Sequence, residues 1–167
     1  MEIRNSSRDR KANLKNSLRF EKAKIDRTDA AILRALWADA RISHAALARR
    51  VGMSAPSVAD RVRRLEDTGV IAGYGARIDP AALGYGLTVL IRARPLPGAM
   101  KDMIEAIRAT EQIVSCERIS GEDCFIARAH VHDVAEMEEV IDRIIPFGAT
   151  SSSIVQSLPV EERLMVL

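Results

Sequence analysis

The first strong hydrophobic periodicity of the chain has the spacing of an amphipathic helix. Its apolar positions are Ile32, Leu33, Leu36, Trp37 and Ala40. This spacing predicts a helix over residues 26–40, which begins at Asp26 or Thr28 because both side chains are good N-caps. Trp37 is the only tryptophan, and we expect it to pack in a small three-helix core.

Two shorter helical patterns follow, on either side of Gly52-Met53-Ser54. Ser43 is suited to cap the first and Ser54 the second, while Gly52 is placed to end the first in a left-handed conformation. The inward-facing positions are Leu47, Ala48 and Val51 in the first helix and Val58, Val62 and Leu65 in the second. This pattern is typical of a helix-turn-helix whose second helix suits a DNA major groove, and an ordinary helical hairpin is the alternative.

Residues 70–79 are predicted to form a short strand with bends at Gly73 and Gly75, either as a wing-like ribbon or as a connector. Beyond them, strands are predicted over residues 87–94, 113–120, 124–131 and 150–158, with amphipathic helices over 100–107 and 134–144. Asp133 with Glu136 resembles a capping box for the second of these helices. The order β-α-β-β-α-β is the ferredoxin-like, or split βαβ, arrangement.

These patterns predict an α+β protein in three parts. Residues 1–24 are expected to be a basic, flexible arm, which either reaches DNA phosphates or is an inert extension. Residues 25–80 form a helix-turn-helix DNA-binding domain with a short linker strand. Residues 84–160 form a ferredoxin-like domain.

Charge is divided unevenly along the chain. Residues 1–80 carry 17 Lys/Arg and 10 Asp/Glu, whereas residues 81–167 carry 8 and 13. This asymmetry favours a polyanion-binding first half and a second half with other work. No apolar run approaches the roughly 20 residues that span a bilayer, and the N-terminus lacks the apolar core of a secretory signal. We therefore expect a cytoplasmic protein with no membrane partner, in which Cys116 and Cys124 are reduced and part-buried.

The run from Leu47 to Tyr85 resembles the N-terminal signature of the Lrp/AsnC family, the leucine-responsive and asparagine-responsive bacterial regulators. The matching elements are Leu47-Ala48, Val51-Gly52, Ser54, Val58, Arg61-Val62, Arg64-Leu65, Gly69-Val70-Ile71 and Leu83-Gly84-Tyr85. Similarity extends from Ile25 to about Leu158. The resemblance implies a winged helix-turn-helix followed by an effector-sensing domain, with chains assembled as homodimers and often as octamers of four dimers.

We expect double-stranded DNA to contact the tip and outer face of the second helix of the helix-turn-helix. The candidate residues are Ser54, Ala55, Pro56, Ser57, Asp60, Arg61 and Arg64. Short hydroxyls at a helix N-terminus donate to phosphate, and arginines one turn on reach phosphate or guanine edges. Arg61 and Arg64 are expected to face outward. Asp60 either accepts from a cytosine amino group or, as the favoured alternative, pairs with Arg64.

For the effector, the resemblance points to the hairpin turn and a cleft where dimers meet. The family commonly has Gly-x-x-Asp there, whereas this chain has a cysteine where the aspartate is expected. The candidate residues are Gly121, Glu122, Asp123 and Cys124, with Thr150, Ser151, Ser152 and Ser153 on the last strand. A polar edge strand is the simpler explanation for the four residues of the last strand. The implied effector is a small metabolite, with an amino acid favoured.

The sequence contains no catalytic constellation and predicts no cofactor. His130 and His132 share a strand face and could hold a metal, but an exposed polar face is the favoured interpretation. We therefore expect a transcription regulator rather than an enzyme. The rivals are an enzyme similar to the sirohaem decarboxylases, which share this fold, and a nonspecific architectural DNA-binding protein.

Overall fold

The computed structural model describes residues 24–167, and these residues form two compact units. The helical unit reaches Ala76 and includes Arg163–Leu167, and the sheet unit is Arg77–Glu162. Each unit has a hydrophobic core of its own. The predicted basic arm over residues 1–24 lies, except for Lys24, outside the described residues.

The helical unit contains three helices: α1 (Arg27–Ala38), α2 (His44–Val51) and α3 (Ala55–Asp67). Its buried core consists of Ile32, Leu33, Ala35, Leu47, Ala48, Val58, Val62 and Leu65. The prediction for Trp37 was wrong, since it is 40% exposed. Ala40 is also exposed, because α1 ends at Ala38 and Asp39 is extended.

The three helices begin where their capping residues predict. Asp26 caps α1 and forms a reciprocal capping box with Asp29. Ser43 Oγ accepts from the Ala46 N–H at 3.2 Å, and Ser54 Oγ accepts from the Ser57 N–H at 3.3 Å. Gly52 ends α2 with φ 70°, in the left-handed region that glycine adopts without a steric penalty. These caps set the tight turn between α2 and α3.

The predicted strand over residues 70–79 was wrong. Val70 and Ile71 pack against the helical core, and residues 72–79 are exposed with no strand paired to them in the described chain. A single segment cannot pair its own backbone N–H and C=O groups in a ladder, so a strand requires a neighbouring strand. The segment is therefore an extended connector.

The sheet unit confirms the β-α-β-β-α-β order. Its elements are β1 (Leu87–Pro95), α4 (Met100–Ala109), β2 (Ile113–Arg118), β3 (Phe125–Val131), α5 (Val134–Asp142) and β4 (Gly148–Ile154). The sheet order is β2-β3-β1-β4, and all neighbouring strands are antiparallel. Alternate residues of β1 and β3 are buried in a core that they share with Met103 and Ile107 of α4 and Val140 of α5.

Two predicted details of α5 differ from the structure. Val134 is 50% exposed and Val140 is buried in its place, because the inward stripe passes through Met137, Val140 and Ile144. The capping box is only half formed. Asp133 accepts from the Glu136 N–H, but the Glu136 carboxylate accepts from the N–H of His132 instead of the cap residue.

The last strand begins at Gly148 and ends at Ile154, not over residues 150–158 as predicted. A Cβ at Gly148 would lie 2.1 Å from the Arg94 carbonyl oxygen and 2.7 Å from Met103 Cε. Only glycine therefore permits this approach of β4 to β1. β4 is a terminal strand of the sheet that the described residues form, so the polar run Thr150–Ser153 lies on a sheet edge.

Candidate functional site

The tip of α3 is small and polar. Ser54 and Pro56 are exposed, and Ser57 is half-buried. The two serine hydroxyls are 2.8 Å apart and hydrogen-bonded to each other. Ala55, in contrast, packs against the helical core, so its side chain is part of the packing as well as of the tip.

Arg61 and Arg64 do not face freely outward, as the sequence predicted. Arg61 Nη1 donates to Asp26 Oδ2 at 2.6 Å and to Asp29 Oδ1 at 2.9 Å. Arg64 Nη2 donates to Asp29 Oδ2 at 2.6 Å. Asp29 is fully buried, whereas the side chains of Arg61 and Arg64 are 29% and 49% exposed. We call these four residues the Asp29 cluster.

The Asp29 cluster keeps its carboxylates ionised. Burial alone would raise the pKa of Asp29, but hydrogen bonds from Arg64, from the Asp26 N–H and from Arg61 lower it below its ordinary value. The pKa of Asp26 is lowered first by the Asp29 N–H and then by Arg61. The cluster therefore holds two guanidinium groups of α3 against the N-terminus of α1.

The expected pairing of Asp60 with Arg64 was wrong, because Arg64 is already held by Asp29. Asp60 Oδ1 lies 3.6 Å from Arg63 Nη1, and the side chains of Arg63 and Asp60 are 71% and 75% exposed. Arg49 and Arg50 at the end of α2 are also exposed. The exposed cations of the helix-turn-helix thus come from both α2 and α3.

The hairpin turn between β2 and β3 is tied to β1 by an ion pair that the sequence did not reveal. Arg94 Nη2 donates to Glu122 Oε2 at 2.8 Å and lies 3.8 Å from Asp123 Oδ1. The side chains of Arg94 and Glu122 are 51% and 87% exposed. Gly121 has φ 118° with open space around it. We call Arg94, Glu122 and Asp123 the Arg94 cluster.

The strand pairing brings the turn and the last strand to the same end of the sheet. The Cys124 N–H donates to the Ala93 carbonyl at 3.0 Å, and Thr150 is the register partner of Ala93 on the other side of β1. Residues directly opposite in an antiparallel pair share a face. Ser151, opposite Arg92, therefore lies on the face of Arg92 and Arg94.

Not every predicted effector residue reaches that face. Thr150 and Ser152 stand opposite Ala93 and Ile91, which point into the core, so alternation places them on the other face. Cys124 packs against the core as a small apolar side chain. Cys116 is exposed and not part-buried as expected, and both cysteines are free thiols.

Comparison with known proteins connects these two regions to one family. Residues 25–72 match the winged helix-turn-helix DNA-binding family, and residues 88–165 match the Lrp/AsnC ligand binding domain. The chain is 36% identical to the HTH-type transcriptional regulator LrpA of Mycobacterium tuberculosis over 121 residues, which cover 72% of this chain and 81% of that protein. The chain belongs to the Lrp/AsnC family of transcription regulators.

Two further relatives extend this match over most of the Lrp/AsnC chain. The proline dehydrogenase transcriptional activator of Rhodobacter capsulatus is 34% identical over 145 residues, which cover 83% of this chain and 94% of that protein. The solved structure of a feast or famine regulatory protein of M. tuberculosis with L-methionine matches this chain with a TM-score of 0.78 at 31% identity. The match covers 86% of this chain and 100% of that protein's chain.

The two histidines that the sequence considered as metal ligands, His130 and His132, have structural partners in this Lrp/AsnC protein. His130 Nδ1 lies 3.1 Å from Thr88 Oγ1, and burial lowers the pKa of His130. His132 lies beyond the end of β3 and donates its backbone N–H to the Glu136 carboxylate. This hydrogen bond is the largest cause that lowers the pKa of Glu136 to about 2, and hydrogen bonds from Gln112 and from the His132 ring lower it further. Within residues 24–167, no three His, Cys, Asp or Glu side chains are grouped to hold a metal ion.

A cavity of about 360 Å³ adjoins His130 and Glu136. Its other walls include Ile78, Leu83, Tyr85 and Val114. None of its lining residues is a lysine or an arginine, so an anionic ligand would find no cation there.

None of the helices in the described part of the chain is long and apolar enough to cross a membrane.

Sequence reasoning missed Asp29 and Arg94, the residues at the centres of the two clusters. Asp26 is the N-cap of α1 and Asp29 its third residue. That spacing predicts a capping box but not the two arginines 32 and 35 residues beyond Asp29. Arg94 and Glu122 are 28 residues apart. The register of β1 against β3 would have been needed to pair them.

Proposed function

We propose that this Lrp/AsnC protein is a sequence-specific, cytoplasmic transcription regulator that reads DNA with α3 and responds to an amino acid bound at the Arg94 cluster. The observation that carries the DNA-binding half is the capped, exposed tip of α3 beside arginines of α2 and α3. The dipole of α3 attracts phosphate to this end of the helix, where the Ser54 and Ser57 hydroxyls supply donors, since Pro56 has no N–H and the Ser57 N–H is bound by Ser54.

The DNA-binding surface that we propose is the tip of α3 and the arginines beyond it. Ser54, Ala55, Pro56 and Ser57 form the tip, and Asp60, Arg61 and Arg64 follow one and two turns later. Arg61 and Arg64 each donate to carboxylates through a single nitrogen, Nη1 and Nη2 respectively. A guanidinium carries five N–H donors, so donors remain on both side chains for phosphate or guanine.

The Arg94 cluster supports an amino-acid effector. It combines one cation with two carboxylates, which is the charge pattern complementary to a zwitterion. The carboxylate of an amino acid would replace Glu122 at Arg94, and its ammonium group would take Glu122 or Asp123 in exchange. The Arg94–Glu122 pair is exposed, and such pairs contribute only about 0–1 kcal/mol, so exchange costs little. The related M. tuberculosis protein solved with L-methionine supports this ligand class.

Ser151 completes this proposed site on the face of Arg92 and Arg94, with Gly121 giving open space beside the turn. Thr150, Ser152 and Cys124 support the site through strand pairing and packing and not through ligand contact. The family implies homodimers and octamers, which we propose here because one helix-turn-helix buries too little surface for selective binding and a two-fold pair reads two half-sites. Effector binding then shifts the equilibrium between assemblies.

Selection from a random-sequence duplex library tests the DNA-binding half. We expect recovery of a shared motif that is bound at least about a thousandfold more tightly than a shuffled duplex, as specific binding requires. Equal affinity for both duplexes would support a nonspecific architectural protein instead. Visible absorbance of the purified protein, which haem chemistry would produce, would favour the enzyme alternative.

Calorimetric titration with the standard amino acids tests the effector half. We expect Arg94→Gln to weaken binding of the best ligand by roughly tenfold or more, since a charge-assisted contact is lost. Arg108→Gln is the matched control, because Arg108 is an exposed arginine of the same unit that lies in the last turn of α4, outside the proposed site. Full affinity in Arg94→Gln combined with loss in His130→Ala would place the ligand in the cavity beside Glu136 instead.

A further inference from the structure

Asp29 has a buried carboxylate whose partners come from two helices. Its side chain is fully buried, and it accepts from the Asp26 N–H, from Arg61 and from Arg64. Buried side-chain oxygens and nitrogens of the described residues all have hydrogen-bond partners. A buried carboxylate that lost its cations would be costly, so the position of α3 relative to α1 is fixed by this group.

The two arginines are held in different degrees. Arg61 is bound by both Asp26 and Asp29 and is mostly covered. Arg64 pairs only with Asp29 among the described residues, and its side chain is 49% exposed. Each guanidinium is planar with its donors in a fixed fork. Holding one nitrogen of that fork on a rigid carboxylate therefore sets the direction of the remaining donors, and the side chain loses less freedom when DNA binds.

We propose that Asp29 is a positioning residue for DNA recognition: its buried carboxylate orients the Arg61 and Arg64 guanidiniums so that their free N–H groups meet the DNA. This inference rests on the proposed DNA-binding function and adds to it a residue that does not itself touch DNA. Asp29 therefore strengthens specific binding indirectly, by orienting the guanidiniums of Arg61 and Arg64, although its own negative charge repels DNA.

Asp29→Asn tests this inference because it removes the charge and keeps the shape. The probes are the duplex selected by the wild-type protein and a shuffled duplex of the same composition. We expect affinity for the selected duplex to fall at least about fivefold, a loss comparable with one weakened base contact. Affinity for the shuffled duplex should stay equal or rise, since the protein gains one unit of positive charge.

Asp67→Asn is the matched control, since Asp67 is an exposed aspartate at the end of the same α3. It makes the same change of net charge and should move the affinity for both duplexes in the same direction. The salt dependence separates positioning from contact. Arg61→Ala and Arg64→Ala should each reduce the log–log salt slope by about one unit, whereas Asp29→Asn should leave the slope unchanged.

A purely structural role would lower the stability of Asp29→Asn without changing its selectivity once it is folded. Affinities are therefore compared at a temperature where Trp37 fluorescence and far-UV circular dichroism show each variant to be folded. Equal losses on both duplexes, or full affinity for the selected one, would overturn the inference.

If Asp29→Asn does not fold, Asp29→Glu keeps the charge while moving the carboxylate by one methylene, and it should show a smaller loss confined to the selected duplex. Full affinity in Asp29→Glu would then contradict the inference. Failure of the wild-type protein to select any sequence would instead refute the proposed function itself, so the two failures are distinguishable.

Discussion

The Asp29 cluster and the Arg94 cluster use the same charged groups in opposite surroundings. In the helical unit, the Asp29 carboxylate, whose side chain is 0% exposed, binds Arg61 at 2.9 Å and Arg64 at 2.6 Å. In the sheet unit, an arginine binds at 2.8 Å to Glu122, whose side chain is 87% exposed. The distances are similar, so the difference between the clusters lies in solvent access.

That difference sets what each cluster can do. A buried ion pair is expensive to break, since removal of one partner leaves a charge without water or counter-ion. An exposed pair exchanges with water and salt at almost no cost. The first arrangement suits a fixed recognition helix, and the second suits a turn that releases its internal partner to a ligand. We make four predictions in order of decreasing effect: three test this contrast, and the second tests the strand approach that positions Arg94.

Asp29→Asn should lower the free energy of unfolding of the helical unit by about 3 kcal/mol, because it leaves two guanidiniums facing an uncharged, buried amide. Urea titration followed by Trp37 fluorescence measures this change, since Trp37 lies on α1. Asp67→Asn should change the midpoint by less than about 0.5 kcal/mol. Similar losses in the two variants would show that burial does not distinguish Asp29.

Gly148→Ala should cost the sheet unit about 2 kcal/mol, because the new methyl group would overlap the Arg94 carbonyl and Met103. It would also move the backbone that carries Arg94. Gly75→Ala, where a Cβ meets nothing within 4 Å, is the control and should be close to neutral. Thermal unfolding followed by circular dichroism measures both. A neutral Gly148→Ala would contradict the close approach of β4 to β1.

Acid should weaken the Asp29 cluster. The folded-state pKa values of Asp26 and Asp29 lie below the ordinary value of about 3.9. Their contribution to stability is therefore complete above about pH 4 and is lost as the pH falls through the folded-state pKa values. Urea midpoints between about pH 7 and pH 3 should fall less in Asp29→Asn than in the wild type. Parallel falls would remove Asp29 as a source of the acid sensitivity.

Glu122→Gln should change the free energy of unfolding by less than about 0.5 kcal/mol, since the pair that it breaks is exposed. The small effect should vanish in about 1 M salt, where the Debye length is near 3 Å. Chemical denaturation at low and high salt measures it. A loss above about 1 kcal/mol that persists in high salt would mean that this pair is structural like the buried one.

Local rules were enough to predict the helices of both units and the order of the sheet unit. Ser43, Gly52 and Ser54 mark helix ends through contacts within four residues, and the apolar stripes of α2, α3 and α4 follow from helical spacing. Local rules failed where a partner was needed. Residues 70–79 have strand-like composition, but no strand of the described chain pairs with them. In α5, the side that packs against the core contains Val140 and not Val134.

The candidate sites depended still more on distant partners. Arg61 has the spacing of an outward residue, and nothing near it in the sequence shows that Asp26 and Asp29 hold it. The turn at Gly121 was predicted as an effector site without Arg94, because the register between β1 and β3 joins them. Polarity alone selected Thr150 to Ser153, whereas strand alternation places only alternate members on the face of Arg94.

The most direct test of the account is the change in affinity for the selected duplex when the best-binding amino acid is added, measured by fluorescence anisotropy. The account predicts a clear ligand-dependent change for the wild type and for the control Arg108→Gln, and none for Arg94→Gln at a ligand concentration that saturates the wild type. A response in Arg94→Gln equal to that of the wild type would contradict it, because the exposed cluster would then have no part in sensing the ligand.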